Sequence, residues 1–219
     1  MDREIQMIGR ICRNIAFGAV AGLLVAANSV ANADTPKPRE AGDILVRVGT
    51  HIVMPESPGA KLGAANLDVQ TAAGFTFNLT YFVTPHFGVE LLAAAPLSHD
   101  IELGGQKVAS TSHLPPTLSA QYHFAPASRF QPYVGAGLNY TWFFNEQTTG
   151  VLAGTDLRLR NSLGYSLQGG VDYRINEHLF VNAEVRYMNI ETNARLNGAS
   201  LTGVKINPVA IGLTAGWQF

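Results

Sequence analysis

Residues 208–219 read PVAIGLTAGWQF and end the chain on an aromatic residue. Apolar side chains occupy every second position from Val209 to Phe219, and small or polar residues occupy the positions between them. Successive side chains of a β-strand point to opposite faces of its sheet. The stretch therefore predicts a strand with one apolar face and one face of small and polar residues.

The same alternation recurs upstream of this strand. Seven further stretches show it: 44–53, 71–83, 87–95, 117–124, 132–143, 162–175 and 179–188. The connections between the stretches are alternately long and short, as expected when short periplasmic turns alternate with long extracellular loops. The sequence predicts an all-β protein, an eight-stranded antiparallel up-and-down transmembrane β-barrel, and the long connections are expected to be loops.

Charge is distributed unequally between the two strand faces. No Asp, Glu, Lys or Arg lies on the predicted outward face, and a Lys or Arg at bilayer mid-depth would cost about 2–4 kcal/mol there. The inward face carries the strand charges, namely Arg47, Glu90, Asp172, Glu184 and Arg186. A soluble lipocalin-like barrel, with its apolar face inward, is the alternative. We disfavour it because the many glycines on the polar face would weaken solvent-facing strands.

The N-terminus has the features of a signal peptide. A basic segment precedes an apolar run at 15–27, and an A-x-A site follows at 31–33. We expect cleavage to remove residues 1–33 and to leave a barrel domain at 34–219. A retained helical anchor is the alternative, but the apolar run is shorter than the roughly 18 residues that a spanning helix needs. The single cysteine, Cys12, lies in the removed segment, so no disulfide is expected.

The bulk composition excludes some classes of function. Charged residues make up 14% of the chain and the formal net charge is −1, so no basic surface indicates nucleic-acid binding. No nucleophile motif is present, and His99, Asp100 and His113 are too loosely spaced to predict a metal site. We expect no enzymatic activity, no cofactor and no metal.

Several sequence segments in and between the strands resemble those of the OmpW family of outer-membrane proteins. The matching segments are GVELLAA at 88–94, HLPPTL at 113–118, PYVGAGLNY at 132–140, GVDY at 170–173 and AGWQF at 215–219. The resemblance covers nearly the whole mature chain. It implies an eight-stranded barrel in a Gram-negative outer membrane with a narrow, largely hydrophobic channel for small apolar molecules, and alkane-import proteins belong to the same family. The final strand also resembles the signal read by the barrel-assembly machinery, with Trp217 and Phe219 as its aromatic residues.

The inward residues predict how such a channel is lined. Leu92, Phe180 and Met188 are inward and apolar, so we predict that they form the channel constriction. The five inward charges are predicted to form an ion-pair network that fills the lower barrel, because charges in a narrow lumen are rarely left unpaired. A charged lumen would close the channel toward the periplasm.

Three prolines predict a lateral opening between two strands of the barrel wall. Pro96, Pro115 and Pro116 lack backbone N–H groups, so the upper ends of the third and fourth strands cannot pair fully. Small apolar solutes are then predicted to enter among the loops and to leave sideways into the outer-membrane lipid. Alternatively, the prolines only terminate the ladder. A second function stays open as well: a plugged barrel that serves as an adhesin, a phage or colicin receptor, or a stress-related envelope protein.

Overall fold

The structure is a computed structural model that describes residues 38–56, 60–62 and 65–219. The predicted signal peptide, 1–33, lies outside the described residues. Within the part of the chain that the structure describes, no helix is both long and apolar enough to cross a membrane.

The described residues form fifteen strands and one short 3₁₀ turn, Gly150–Leu152. In chain order the strands are β1 (Ile44–Met54), β2 (Ala60–Leu62), β3 (Ala65–Val69), β4 (Ala72–Phe82), β5 (Phe87–Ala94), β6 (Leu97–Leu103), β7 (Gln106–Leu114), β8 (Thr117–His123), β9 (Phe130–Thr148), β10 (Leu157–Leu159), β11 (Ser162–Arg174), β12 (Leu179–Met188), β13 (Glu191–Leu196), β14 (Ala199–Lys205) and β15 (Val209–Gln218).

Eight of these strands close into one antiparallel barrel. Its order is β1, β4, β5, β8, β9, β11, β12 and β15, and the last strand pairs with the first from Leu45↔Gln218 to Met54↔Val209. The predicted fold class is confirmed, and seven of the eight barrel strands begin and end within two residues of the expected bounds. The exception is β9, which continues to Thr148.

The two faces of the barrel wall have opposite chemistry. Along β15 exposed and buried residues alternate without interruption, with Leu213 63% exposed and Ala210 2% exposed. Large apolar side chains cover the outside, whereas most buried side chains of the interior are polar or charged. A lipocalin-like barrel would have the reverse arrangement, so the soluble alternative is wrong.

The expectation that the long connections are loops is also wrong. They carry hairpins: β6 pairs with β7, which pairs with the upper part of β9, and β13 pairs with β14 and with β10. Gly104–Gly105 and Asn197–Gly198 turn two of these hairpins, and all four residues have positive φ. Such dipeptides favour tight hairpin turns. These strands lie beyond the lipid-facing wall, so they lack the continuous apolar face used to identify the barrel strands.

Strands β8 and β9 of the barrel wall approach each other closely at Gly137. A Cβ on Gly137 would lie 2.1 Å from the carbonyl oxygen of Leu118 and 2.6 Å from the Cα of Ser119, both backbone atoms of β8. Gly169, on β11, is a matched position: a Cβ there would meet only the Tyr133 carbonyl oxygen, at 3.9 Å.

We therefore expect Gly137→Ala to destabilise the barrel by about 1–3 kcal/mol, the usual cost of overpacking a close contact. Gly169→Ala should stay within about 0.5 kcal/mol of the unchanged protein. Urea unfolding in lipid vesicles, followed by tryptophan fluorescence, measures both. Equal stability of the two variants would contradict the inferred steric constraint.

Candidate functional site

The five charged residues predicted to share the lumen meet in the middle of the barrel. Arg47 Nη2 lies 2.9 Å from Asp172 Oδ2, and its Nη1 lies 3.4 Å from Glu90 Oε2. Arg186 joins Glu90 to the third carboxylate, with Nη2 2.6 Å from Glu90 Oε1 and Nε 3.2 Å from Glu184 Oε1. All five side chains are at most 1% exposed. We call this group, together with Arg39, the ionic layer.

Arg39 is the member of the ionic layer that the sequence did not indicate. Its Nη2 donates to Asp172 Oδ2 at 2.6 Å and its Nη1 donates to His123 Nδ1 at 2.6 Å. The guanidinium also lies 4.8 Å from the centre of the Phe82 ring. Arg39 precedes β1 in a polar, proline-bearing segment without periodicity, so nothing in the sequence marks it as inward. The segment enters the periplasmic end of the barrel and adds a third cation.

Further polar side chains hydrogen-bond to the carboxylates of the ionic layer. His51 donates from Nε2 to Glu184 at 2.8 Å, and the Tyr133 hydroxyl donates to the same carboxylate at 2.9 Å. Gln121 donates to Glu90 at 2.8 Å. The ionic layer holds three arginines and three carboxylates, so its positive and negative charges balance.

The three residues predicted to form one constriction lie at two different levels. Phe180 lies on the periplasmic side of the ionic layer, in a cluster with Leu45 and Phe82, and the Arg47 guanidinium lies 5.4 Å from its ring centre. Leu92 and Met188 lie on the opposite, extracellular side, where both line one cavity. Alternation showed which residues point inward, but not at which depth each side chain lies in the barrel.

The cavity lies directly above the ionic layer. Its volume is about 20 Å³, room for about one water molecule. His51, Thr76 and Arg186 are among the residues that line it, but the surface that they present to the cavity is apolar. The remaining lining residues are apolar or small, and they are Val53, Gly74, Leu92, Ala94, Leu97, Pro115, Met188 and Ala210.

The barrel wall is interrupted beside this cavity. The pairing of β5 with β8 ends at Leu92↔Thr117 and resumes, now between β6 and β7, at Leu97↔His113. Residues 93–96 therefore have no ladder partner among 114–116. At about 3.3 Å per residue, the interruption is roughly 10 Å long, and we call it the lateral break.

Each strand that borders the lateral break is hydrogen-bonded to the strand on its opposite side. Ala95 donates its N–H to the Phe75 carbonyl oxygen at 2.8 Å, and Tyr140 donates to the Pro116 carbonyl oxygen at 3.0 Å. The Asn139 amide donates to the carbonyl oxygen of Pro115 at 3.2 Å. Pro96 and Pro116 are exposed, and Pro115 is buried against the cavity. These backbone groups are thus hydrogen-bonded on both sides of the lateral break although no ladder pair crosses it.

Two stacked histidines lie in the extracellular hairpin above the cavity. The rings of His99 and His113 are 4.9 Å apart at 18°, and Phe143 lies 5.8 Å from His113. His99 donates from Nδ1 to the Gln70 carbonyl oxygen at 2.6 Å. Burial lowers the pKa of both histidines, that of His113 to about 3, and the adjacent His99 contributes to the lowering at His113.

The predicted assembly residues lie at the periplasmic end of the wall. Trp217 stacks on His178 with ring centres 5.2 Å apart, and the Phe219 N–H donates to the Ile44 carbonyl oxygen at 2.9 Å. Both aromatic side chains are exposed on the outer surface.

The ionic layer yields a stability prediction. Asp172→Asn removes the anion that Arg39 and Arg47 share, so we expect it to destabilise the protein by about 3–5 kcal/mol, the cost of leaving buried charges unpaired. Asp156→Asn is the matched control, because Asp156 pairs with Arg158 at 3.0 Å but is 62% exposed. It should cost no more than about 1 kcal/mol. Equal losses in urea titrations would show that the ionic layer is not stabilising.

The histidine pair yields a pH prediction. An unfolded histidine has a pKa near 6.5, so between about pH 6.5 and pH 3 the opened hairpin binds a proton that the folded hairpin does not. Stability of the β6–β7 hairpin is therefore complete above about pH 6.5 and declines as the pH falls. Amide hydrogen exchange, corrected for its intrinsic pH dependence, should show faster opening of this hairpin at about pH 4 than at about pH 8.

His113→Phe is the matched variant for this effect, because it keeps an aromatic ring on His99 and removes one titrating group. We expect it to remove much of the pH dependence. The same acid-induced opening in the variant and the unchanged protein would contradict the assignment to His113.

Comparison with known proteins supports one family. The OmpW family model matches residues 40–219. The chain is 43% identical over 192 residues to outer membrane protein W of Escherichia coli, covering 82% of this chain and 90% of the relative.

Solved structures agree with the fold. The crystal structure of the outer membrane protein OprG from Pseudomonas aeruginosa superposes with a TM-score of 0.74 at 33% identity, covering 84% of this chain and 99% of OprG. The solid-state NMR structure of outer membrane protein AlkL has the same fold, with a TM-score of 0.63 at 22% identity over 88% of this chain and 96% of AlkL. The closed barrel with its lipid-facing apolar wall and these matches together establish that the chain belongs to the OmpW family and is an outer-membrane β-barrel protein of a Gram-negative bacterium.

Proposed function

We propose that the protein is a passive channel for small hydrophobic molecules, which enter from the extracellular side and leave through the lateral break into the outer membrane. One observation carries the proposal: the cavity and the lateral break share residues. Ala94, Leu97 and Pro115 line the cavity and also border or lie within the interruption of the ladder. The cavity therefore lies beside the interruption through which a solute would reach the lipid.

The ionic layer supports a sideways rather than a straight route. It is buried on all sides, and Phe180 with Leu45 and Phe82 packs beneath it. A solute crossing to the periplasm would have to separate Arg47 from Asp172, and breaking a buried pair costs several kcal/mol. The path of least cost from the cavity is thus through the wall.

The hydrophobic effect drives an apolar solute from water toward the membrane. Removing apolar surface from water is favourable by about 25 cal/mol per Å², so an apolar solute moves from the medium to the lining of Leu92 and Met188 and then to hydrocarbon without an energy source. The outward side chains beside the lateral break, Leu91 and Leu118, are exposed and apolar. They match the acyl chains that would receive the solute.

Biogenesis completes the proposal. We infer that residues 1–33 are removed during secretion through the inner membrane and that the barrel domain is 34–219. The barrel-assembly machinery would then recognise Trp217 and Phe219, whose exposed aromatic side chains lie at the free end of the last strand.

A second candidate function is a closed barrel that acts as a surface receptor or adhesin, for example for a phage or colicin, or as a stress-related structural envelope protein. The ionic layer favours it, because the layer fills the lumen. The paired extracellular strands β6, β7, β13 and β14 favour it as well, since they form ordered surfaces outside the membrane.

Closing the lateral break tests the proposed route. The positions after the last pair of β5 and β8 are Ala93 and Pro116, and a disulfide between Ala93→Cys and Pro116→Cys would tie the two sides together. We expect oxidised protein in lipid vesicles to lose uptake of a small alkane by at least about tenfold, with recovery on reduction, because the solute can no longer reach the acyl chains.

The matched control is Val48→Cys with Ala215→Cys, two outward residues that already pair between β1 and β15. That disulfide should leave uptake unchanged. Unchanged uptake after oxidation of the Ala93→Cys, Pro116→Cys variant would refute the lateral route. Equal uptake by vesicles with and without the protein would favour the receptor function.

A further inference from the structure

Three arginines share the outer face of the extracellular sheet that β10, β13 and β14 form. Leu159, on β10, packs against the buried apolar cluster of the interior. Its neighbours Arg158 and Arg160 therefore point outward, and both are exposed. On the adjacent strand β13, Arg195 is exposed beside the buried Ala194, and it pairs directly with Arg158. We call Arg158, Arg160 and Arg195 the arginine patch.

The arginine patch carries positive charge that the protein leaves largely uncompensated. Side chains directly opposite on antiparallel strands have Cβ atoms about 5 Å apart, so the pairing of Arg158 with Arg195 is repulsive. Arg158 has one carboxylate partner, Asp156 at 3.0 Å, and both side chains are mostly exposed. The side chains of Arg160 and Arg195 form no hydrogen bond or ion pair with any described residue. Two guanidinium groups are therefore available to an anion.

Carboxylates near the arginine patch are engaged elsewhere. Glu146 lies beside β10, where its Oε1 accepts from the Leu159 N–H at 3.3 Å. Glu191, on β13, lies 3.8 Å from Lys205 of β14. Neither carboxylate forms an ion pair with Arg160 or Arg195 among the described residues. An external anion is thus the partner that this face of the sheet lacks.

The arginine patch lies just beyond the lipid-facing wall. Leu163, on β11, is 71% exposed and pairs with Tyr140 of β9. The Tyr140 hydroxyl accepts from the Asn161 amide at 2.9 Å, and such aromatic residues with a polar partner are typical of the membrane interface. Arg160 is three residues from Leu163, which is a rise of about 8 Å for a strand tilted by about 40°. That is the level of the lipid headgroups, a layer of about 5–8 Å.

Charge and position together decide what binds there. Guanidinium groups bind phosphate through parallel N–H donors, and a phosphate between Arg158 and Arg195 replaces their repulsion by attraction to both. The continuity of the arginine patch with the lipid-facing wall indicates that the phosphate belongs to a lipid of the outer leaflet. In a Gram-negative outer membrane this leaflet consists mainly of lipopolysaccharide, whose sugars carry phosphate groups next to the acyl chains.

We propose that the arginine patch is a binding site for the phosphate groups of lipopolysaccharide. The phosphate groups accept from Arg158, Arg160 and Arg195, and the acyl chains lie against Leu163 and its outward neighbours. The site holds the extracellular sheet to the outer leaflet. It does not depend on the proposed channel, since the arginine patch faces away from the interior.

Varying the lipid tests the site with the unchanged protein. Native mass spectrometry of the full mature protein in detergent micelles compares lipid A, the acylated and phosphorylated anchor of lipopolysaccharide, with two phosphates and with one. We expect the two-phosphate form to bind at least about fivefold more tightly, the usual effect of one further contact between a cation and an anionic lipid. Equal binding of the two forms would overturn the proposal.

Inorganic phosphate separates a lipid site from a site for soluble anions. At a concentration equal to that of lipid A it should leave the bound lipid in place, because it has no acyl chains to contact Leu163. Displacement of lipid A by inorganic phosphate would overturn the assignment to a lipid.

Substitutions locate the site on the protein. Arg195→Gln should weaken binding of two-phosphate lipid A about fivefold, and Arg160→Gln with Arg195→Gln about 25-fold. Lys107→Gln is the matched control: it removes one extracellular charge as well, but Lys107 lies on β7 and pairs with Asp100 at 2.7 Å. It should leave the affinity within about twofold. Equal losses in Arg195→Gln and Lys107→Gln would reduce the effect to general charge attraction and contradict a defined site.

Discussion

The structure depends on one constraint: a ring of eight strands with lipid outside must satisfy every polar group of its narrow interior from within. Three arginines and three carboxylates meet most of this requirement by pairing with one another at distances of 2.6–3.4 Å, although Arg39 Nε and Arg186 Nη1 have no hydrogen-bond partner among the described residues. Glycines with no room for a Cβ, such as Gly137, bring neighbouring strands close enough for the layer to be enclosed. These charges are buried and paired, so the ionic layer occupies the middle of the barrel interior.

The lateral break is the second feature on which the structure depends. Prolines at 96, 115 and 116 remove the donors that would continue the β5–β8 ladder, and Asn139 with Tyr140 satisfies the carbonyl groups left on the β8 side. An interruption of the wall is thus stable without strand pairing and stays beside the cavity. Pro115, which lies within the interruption of the ladder, also lines the cavity, so the cavity and the lateral break are adjacent.

Several features followed from the sequence because they are local and periodic. Alternation at period 2 located all eight barrel strands, the exclusion of charge from one face identified the lipid side, and the prolines marked where pairing of the third and fourth strands ends. The extracellular hairpins were missed because strands outside the membrane need no continuous apolar face, although Asn197–Gly198 and Gly104–Gly105 were available as turn signals. Arg39 was missed because it is a single charge in an aperiodic segment, so no alternation predicts the direction of its side chain.

By itself the sequence determined the fold class, the direction in which each strand residue points and the five strand charges that share the lumen, since these depend on strand geometry alone. The tertiary structure decided the depth of each side chain, because depth depends on barrel stagger and on contacts between residues far apart in the chain. It therefore separated Phe180 from Leu92 and Met188 and brought Arg39 to Asp172 across the interior, because these contacts join residues that are far apart in the chain.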